Sequence, residues 1–265
     1  MGASSATVND SFLLFSGRGG LEMAPVEENG AVWRYSLIDN KWSKLAPDGG
    51  SPHPAGRSYH CMTSDDNQTV FMHAGCPENG RLSDLWSYNL TSNTWKELAS
   101  APDPPRGGTS VAYSGGKLYR MNGFDGIKEQ GGNLDIYDIA SDNWTSHKYT
   151  PDGVDGPTPR SVCALLAVRF QQKDYLITLF GEQDPSTLGH AGAGKMLNDV
   201  WAFDISGRKW TKVDTNSPEG NQPAPRGWFA ADVHKGEESD EIVVHGGLAE
   251  DNKRLGDFWI LSFLV

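Results

Sequence analysis

The sequence predicts an all-β chain: one domain folded as a five-bladed β-propeller of antiparallel sheets, with almost no helix. Three observations carry this reading. Four segments superpose, namely AVWRYSLIDNKW (31–42), DLWSYNLTSNTW (84–95), NLDIYDIASDNW (133–144) and DVWAFDISGRKW (199–210). Each sets an aromatic residue seven positions before a tryptophan: Tyr35 and Trp42, Tyr88 and Trp95, Tyr137 and Trp144, Phe203 and Trp210. Self-similarity at a spacing of roughly 50 residues marks a repeat architecture, and no stretch carries the 3.6-residue apolar period of an amphipathic helix.

The elements follow in a fixed order within each repeat. An arginine after a Pro- or Gly-bearing stretch opens the unit (Arg57, Arg106, Arg160, Arg226), and an apolar strand follows it. A second strand ends at glycine (Gly17, Gly75, Gly123, Gly181, and the pair Gly246–Gly247). A variable loop then leads to the aromatic strand, a turn rich in Asn, Asp, Ser and Gly, and the tryptophan strand. Such turns between short β-branched and aromatic runs are hairpin signals, and four strands in meander form a propeller blade. Residues 2–10 supply the first strand of blade one, so the blades run about 1–51, 52–103, 104–156, 157–222 and 223–265. The last aromatic segment, GDFWILSF (256–263), has no tryptophan strand after it, which leaves blade five with three strands. Closure is expected to rest on packing between blades one and five around a narrow channel.

The arginine opener, the glycine after the second strand and the Tyr-x6-Trp pair together resemble the kelch repeat across essentially the whole chain. The family's glycine pair survives only at Gly246–Gly247; elsewhere its first place holds Ser16, Ala74, Asn122 or Phe180.

Composition bounds the function. Hydrophobic residues make up 37% of the 265 and charged residues 22%, enough for a packed core. No apolar run reaches the roughly 20 residues of a membrane helix, and the opening MGASSATVND lacks the basic flank and apolar stretch of a secretory signal. A cytoplasmic protein without a membrane partner is the expectation. The net charge of −11 argues against nucleic acid, whose binders gather Lys and Arg on one face. Three cysteines (Cys61, Cys76, Cys163) are too few and too irregular for a disulfide framework or a zinc site.

In kelch propellers the loops before the first strand and after the second gather at one end of the channel. Here the first set carries Arg57, Arg106, Arg160 and Arg226, with Tyr59 and Trp228 close behind two of them. One reading is a cationic and aromatic ring for an acidic or aromatic small molecule, with Arg57, Tyr59, Arg106, Phe124, Arg160 and Glu182 binding substrate. Arg226, Trp228 and His190 then stand as catalytic candidates. The alternative is that the arginines brace their blades through loop carbonyls, as kelch arginines commonly do. His73 and His245, at equivalent places before the glycines, either point to the pocket or pack between blades, with packing the favoured reading, and Phe124 and Asp125 of the blade-three loop are read as residues of the channel mouth.

The longest loop, EQDPSTLGHAGAGKMLN (182–198), holds Glu182, Asp184 and His190. It resembles the corresponding loop of the plant nitrile- and thiocyanate-forming specifier proteins and their fungal kelch relatives. That resemblance implies a Glu-x3-Asp-x3-His series holding ferrous iron. Matched residue by residue it gives Glu182, Ser186 and His190, so the central acid is missing, and Asp184 stands two residues early. A metal set of Glu182, Asp184 and His190 is one reading; no cofactor, with Glu182 and His190 tying the loop to itself or His190 acting as a general acid or base, is the other.

Two functions compete. One is a small-molecule catalyst without an organic cofactor, steering a reactive intermediate by orientation and hydrogen bonds. Specifier-type rearrangement and cofactor-free cyclisation, including Diels–Alder-type addition in secondary metabolism, are its two versions. The other is a kelch protein-interaction module with a protein partner. The absence of a dinucleotide loop, a P-loop and a nucleophile elbow excludes those chemistries, and the long 182–198 loop favours the catalyst.

Overall fold

The computed structural model describes residues 1–187, 192–217 and 220–263. Among them there is no helix, and the strands form five blades of a β-propeller. Blade one joins β1 (Ser4–Val8), β2 (Ser11–Phe15), β5 (Val32–Ser36) and β6 (Lys41–Leu45), with the ribbon of β3 (Arg18–Gly19) and β4 (Ala24–Pro25) in its loop. Blade two is β7 (Cys61–Ser64), β8 (Thr69–Gly75), β9 (Leu82–Asn89) and β10 (Thr94–Leu98). Blade three is β11 (Ser110–Ser114), β12 (Lys117–Met121), β13 (Asn133–Asp138) and β14 (Asn143–Lys148). Blade four is β15 (Ala164–Phe170), β16 (Lys173–Leu179), β17 (Val200–Asp204) and β18 (Lys209–Val213). Blade five has three strands, β19 (Ala230–His234), β20 (Glu241–Leu248) and β21 (Arg254–Ser262).

The chain divides into two compact units, Met1–Tyr119 with Asp135–Thr145, and Arg120–Leu134 with Ser146–Val265. In the first, Leu13, Phe15, Val32, Met72, Tyr88 and Trp95 form one buried cluster, and Phe71, Leu85, Val111 and Tyr137 another. In the second, Ile177, Leu179, Val200, Ile242 and Val244 form the core.

The aromatic pair is a clamp on the third and fourth strands. Tyr35 faces Trp42, Tyr88 faces Trp95 and Phe203 faces Trp210 in register, with ring centroids 5.0–5.3 Å apart. The Trp95 and Trp144 indoles donate at 2.7 Å to the carbonyls of Gly30 and Ala99. Each tyrosine hydroxyl donates to the residue five positions on, which closes the turn with positive φ: Tyr35 to Asn40, Tyr88 to Asn93, Tyr137 to Asp142. In blade four the hydroxyl is gone, because Phe203 stands there, and the acceptor is gone with it, because Arg208 closes the turn.

The two places of the glycine pair impose different demands. At the first, Ser16, Ala74, Asn122, Phe180 and Gly246 all have φ between 47° and 65°, a left-handed conformation that costs an L-residue roughly 1–2 kcal/mol but is open to it. At the second, Gly17, Gly75, Gly123, Gly181 and Gly247 have φ of 100–110°, where only glycine is comfortable. A Cβ on Gly75 would lie 2.8 Å from the Ser58 carbonyl oxygen, and one on Gly181 2.7 Å from that of Ser161. The family's first glycine is therefore dispensable and its second is not.

Candidate functional site

The second glycine also ties one blade to the next. Gly17, Gly75, Gly123 and Gly181 donate their N–H groups at 2.8–3.0 Å to the carbonyls of Arg57, Arg106, Arg160 and Arg226. Two residues past each of these arginines stands Tyr59, Gly108, Val162 or Trp228, all with φ of 48–61°. Within the first unit, Tyr59 N–H donates to Gly2 and Gly108 N–H to Tyr59; within the second, Trp228 N–H donates to Val162. This relay holds Tyr59 and Trp228, both half-buried, at a set backbone position. Left-handed non-glycine residues of this kind concentrate where a fold presents its working side chains.

The arginine side chains follow the second of the two alternatives the sequence leaves open, that of bracing their blades. Arg57, Arg160 and Arg226 are at most 1% exposed. Each forms a bidentate pair with an aspartate of its own blade, at 2.6–3.0 Å: Arg57 with Asp84, Arg160 with Asp199, Arg226 with Asp257. Each also donates from Nε to the carbonyl two residues back and from Nη1 to the carbonyl just before its blade's second-place glycine, as Arg57 does to Ala55 and Ala74. The indole of Trp86, Trp201 or Trp259 completes the motif by donating to the same aspartate. Three guanidinium groups offered as ligand contacts are thus spent as blade braces. Arg106, 5% exposed, donates from Nε to the Pro104 carbonyl in the same way. The aspartates were legible as a recurring Asp-x-Trp at 84–86, 199–201 and 257–259, a signal that the sequence reading passed over.

In the second unit the loops after the second strands of blades three and four bring carboxyl groups together. The blade-three loop is tight. Phe124 bridges to Glu129, and Asp125 accepts from the N–H groups of Ile127 and Lys128 and from the Gln130 amide. This turns Glu129 inward, where it is 9% exposed. Its Oε1 accepts a 3.1 Å bond from the Ser161 hydroxyl, and its buried Oε2 has no partner among the described residues. Ser161 in turn pairs backbone to backbone with Glu182, N to O at 2.9 Å in both directions. Glu182 is 5% exposed, and its Oε1 accepts from the Gly194 N–H at 2.6 Å. That approach requires glycine, since a Cβ on residue 194 would lie 2.1 Å from the Asp184 carbonyl oxygen.

Burial raises the Glu129 pKa to about 8; the Ser161 hydrogen bond opposes this, and the charges of Glu182, Asp125 and Asp184 add to it. Burial raises Glu182 as well, against the Gly194 hydrogen bond. On these adjacent loops desolvation works against the charged form of both acids, and Glu129 is a neutral hydrogen-bond donor near neutral pH. Neither Glu129 nor Ser161 stands out in the sequence: Glu129 lies in a variable loop, and Ser161 matches Ser58, whose hydroxyl meets Arg18 and not an acid.

The remaining expectations fall as follows. Phe124 is half-buried beside Glu129, and Asp184 is exposed. His73 is buried, with Nδ1 2.8 Å from the Asp84 carbonyl oxygen and its ring 6.0 Å from Trp144. His245 makes the equivalent contact to Asp257 at 3.1 Å but is exposed. His190 lies outside the described residues. Among the described residues no group of three or more His, Cys, Asp or Glu side chains is placed to hold a metal ion, and Ser186 occupies the place of the central acid. No helix of the described residues is long and apolar enough to cross a membrane.

Comparison with known proteins agrees with this architecture. The KLHDC2/KLHL20/DRC7 kelch-repeats domain model matches residues 2–247. The N-(sulfonatooxy)prop-2-enimidothioate sulfolyase of Thlaspi arvense is 26% identical over 256 residues, covering 87% of this chain and 69% of the relative. The leucine-zipper-like transcriptional regulator 1 homolog of Drosophila melanogaster is 24% identical over 237 residues, covering 88% of this chain and 22% of the relative. The solved structure of YjhT superposes with a TM-score of 0.71 at 15% identity, over 98% of this chain and 80% of that one.

Proposed function

This chain belongs to the KLHDC2/KLHL20/DRC7 kelch-repeats family, and we propose that within it the chain is a small-molecule catalyst that steers the breakdown of a reactive, anionic intermediate. The observation that carries the reading is the pair of buried carboxyl groups, Glu129 and Glu182, whose ionisation is disfavoured on the loops of blades three and four. The frame needs no such pair, because its own acids are ion-paired to arginine. An ionised carboxylate would repel an anion, whereas the neutral Glu129 carboxyl donates a hydrogen bond to it.

The resemblance to a sulfolyase over most of the chain favours elimination or specifier-type rearrangement over cyclisation. The substrate class is then an N-(sulfonatooxy)imidothioate. Trp228, fixed in its left-handed position, supplies an aromatic wall against the organic group, and His190 remains a candidate acid or base. The test is sulfate release from synthetic N-(sulfonatooxy)prop-2-enimidothioate. The protein is expected to accelerate it, and Trp228→Ala to raise KM roughly tenfold through lost apolar contact, on the order of 1–3 kcal/mol. A rate equal to that of buffer would remove the reading.

The match to a leucine-zipper-like regulator homolog keeps a protein-interaction role as the second reading. A stoichiometric peptide or protein on the purified chain in native mass spectrometry would favour it.

A further inference from the structure

Blade five ends at β21, which pairs with β20 on one side and with no strand on the other among the described residues. The other four blades show what that open side lacks. In each of them a fourth strand pairs with the third, and the aliphatic residue three places before the clamp aromatic (Val32, Leu85, Leu134, Val200) is at most 3% exposed. Val32, Leu85 and Val200 face Leu45, Leu98 and Val213 across the ladder. With the Asp-x-Trp segments aligned, the equivalent residue of blade five is Phe258, three places before Leu261. Phe258 is 61% exposed, and Ile260 on the same face is 55% exposed. Natural edge strands are blunted by lysine, proline or a bulge, yet the nine-residue β21 carries neither lysine nor proline. Charge points the same way. The Asp257 side chain is 37% exposed, against 17% for Asp84 and 16% for Asp199. In blade four the fourth strand sets Lys212 opposite Trp201, close enough for its charge to act on Asp199. In blade one Lys44 stands opposite Trp33, 5.8 Å from the ring centroid. β21 offers the same acid and indole, Asp257 and Trp259, with no strand among the described residues to bring a lysine to them.

We propose that the open side of β21 is a docking edge for an extended segment of a protein partner with the pattern Lys-Trp-Ser/Thr-Lys-Leu/Val, added as the fourth strand of blade five. This goes beyond the catalytic reading and does not depend on it. The pattern is that of the chain's own fourth strands β6 (KWSKL) and β18 (KWTKV). In their register the segment's aliphatic residue falls opposite Phe258, its second lysine opposite Trp259 and beside Asp257, its Ser or Thr opposite Ile260, and its tryptophan opposite Leu261. Backbone hydrogen bonds along the added ladder supply affinity, and the cross-strand pairs supply selectivity. The segment is basic and the chain carries −11, a complementarity that speeds and steers association. A second copy of β21 fits less well, because its one cation, Arg254, stands at the end of the strand and both copies are acidic.

The experiment titrates the intact protein into a fluorescein-labelled peptide of the chain's own residues 207–214, Gly-Arg-Lys-Trp-Thr-Lys-Val-Asp, and follows anisotropy. Two further peptides carry Trp210→Ala or Lys212→Glu, and the protein variant Phe258→Lys sets a charge on the exposed face of the edge. Saturable binding of the first peptide is expected. Removing the tryptophan anchor, reversing the lysine, or introducing Phe258→Lys should each weaken it at least about tenfold. Phe258→Lys should keep the native circular dichroism and melting temperature, since its side chain is exposed; Ile260→Lys repeats the test from the second exposed position. No saturable binding at millimolar concentration overturns the proposal. So does equal binding of all three peptides, or binding that both lysine variants leave unchanged. Sedimentation of the protein alone tests the other occupant: a dimer that Phe258→Lys splits, with no peptide bound, gives the edge to a second copy and overturns the assignment.

Discussion

Two carboxyl groups of the second unit, Asp199 and Glu129, are both largely shielded from water, yet their environments drive them in opposite directions. Burial would raise Asp199, but the bidentate bonds and charge of Arg160, with the Trp201 indole, outweigh it and hold the group ionised. Burial raises Glu129 with only a serine hydroxyl opposing it, and neighbouring acids push the same way. The first arrangement recurs in blades two, four and five as a brace. The second has no counterpart among those braces and holds no blade together. Asp199 with its own cation belongs to the frame, and Glu129 without one belongs to the proposed site.

The largest effect expected from breaking this contrast is at the brace. Asp199→Asn leaves the Arg160 charge buried and unpaired, which should cost about 3–5 kcal/mol of stability, measured by chemical denaturation. A loss below about 1 kcal/mol would mean that the pair is not what holds blade four.

Next comes the pH dependence of Glu129. Between its ordinary value of 4.5 and about 8, the unfolded chain has released this proton and the folded chain has not. The group's contribution to stability therefore falls as pH rises through that window and is constant above it. A glutamine side chain does not titrate, so the melting temperature of Glu129→Gln should match the native protein near pH 4 and exceed it increasingly up to pH 8. Parallel curves would place Glu129 among ordinary surface acids. The smallest effect belongs to Ser161→Ala, which removes a hydrogen bond worth roughly 1 kcal/mol and should move the Glu129 transition to higher pH in infrared titration.

The propeller was legible because its signals repeat. Tyr-x6-Trp, the arginine openers and the glycines report the same contacts four or five times over, and the three-stranded last blade followed from counting them. The role of the arginines was not legible from arginine alone. Arg57, Arg160 and Arg226 face ligand or brace blade depending on a partner some 27 to 39 residues away, and the Asp-x-Trp that supplies it was overlooked. Glu129 was invisible for the opposite reason. Its burial depends on a turn built by Asp125, and the hydroxyl it meets, Ser161, has its counterpart in Ser58, which faces Arg18 and gives no hint of an acid. Glu182 was found because its loop is long and unusual, although its contact with Gly194 came only with the fold.

The first place of the glycine pair has a further meaning. One backbone conformation recurs in all five blades, yet it carries a hydroxyl at Ser16, a methyl at Ala74, an amide at Asn122, a ring at Phe180 and nothing at Gly246. Three of these substituents meet a local counterpart: Ser16 accepts from the Arg57 N–H, Asn122 donates to the Cys163 sulfur, and Phe180 lies 5.9 Å from the Arg226 guanidinium. These are five sockets of one shape fitted with an interchangeable alphabet. A lineage can rewrite the letters one at a time, at a fixed backbone toll, and so alter the interior chemistry of a blade without relearning how to fold it.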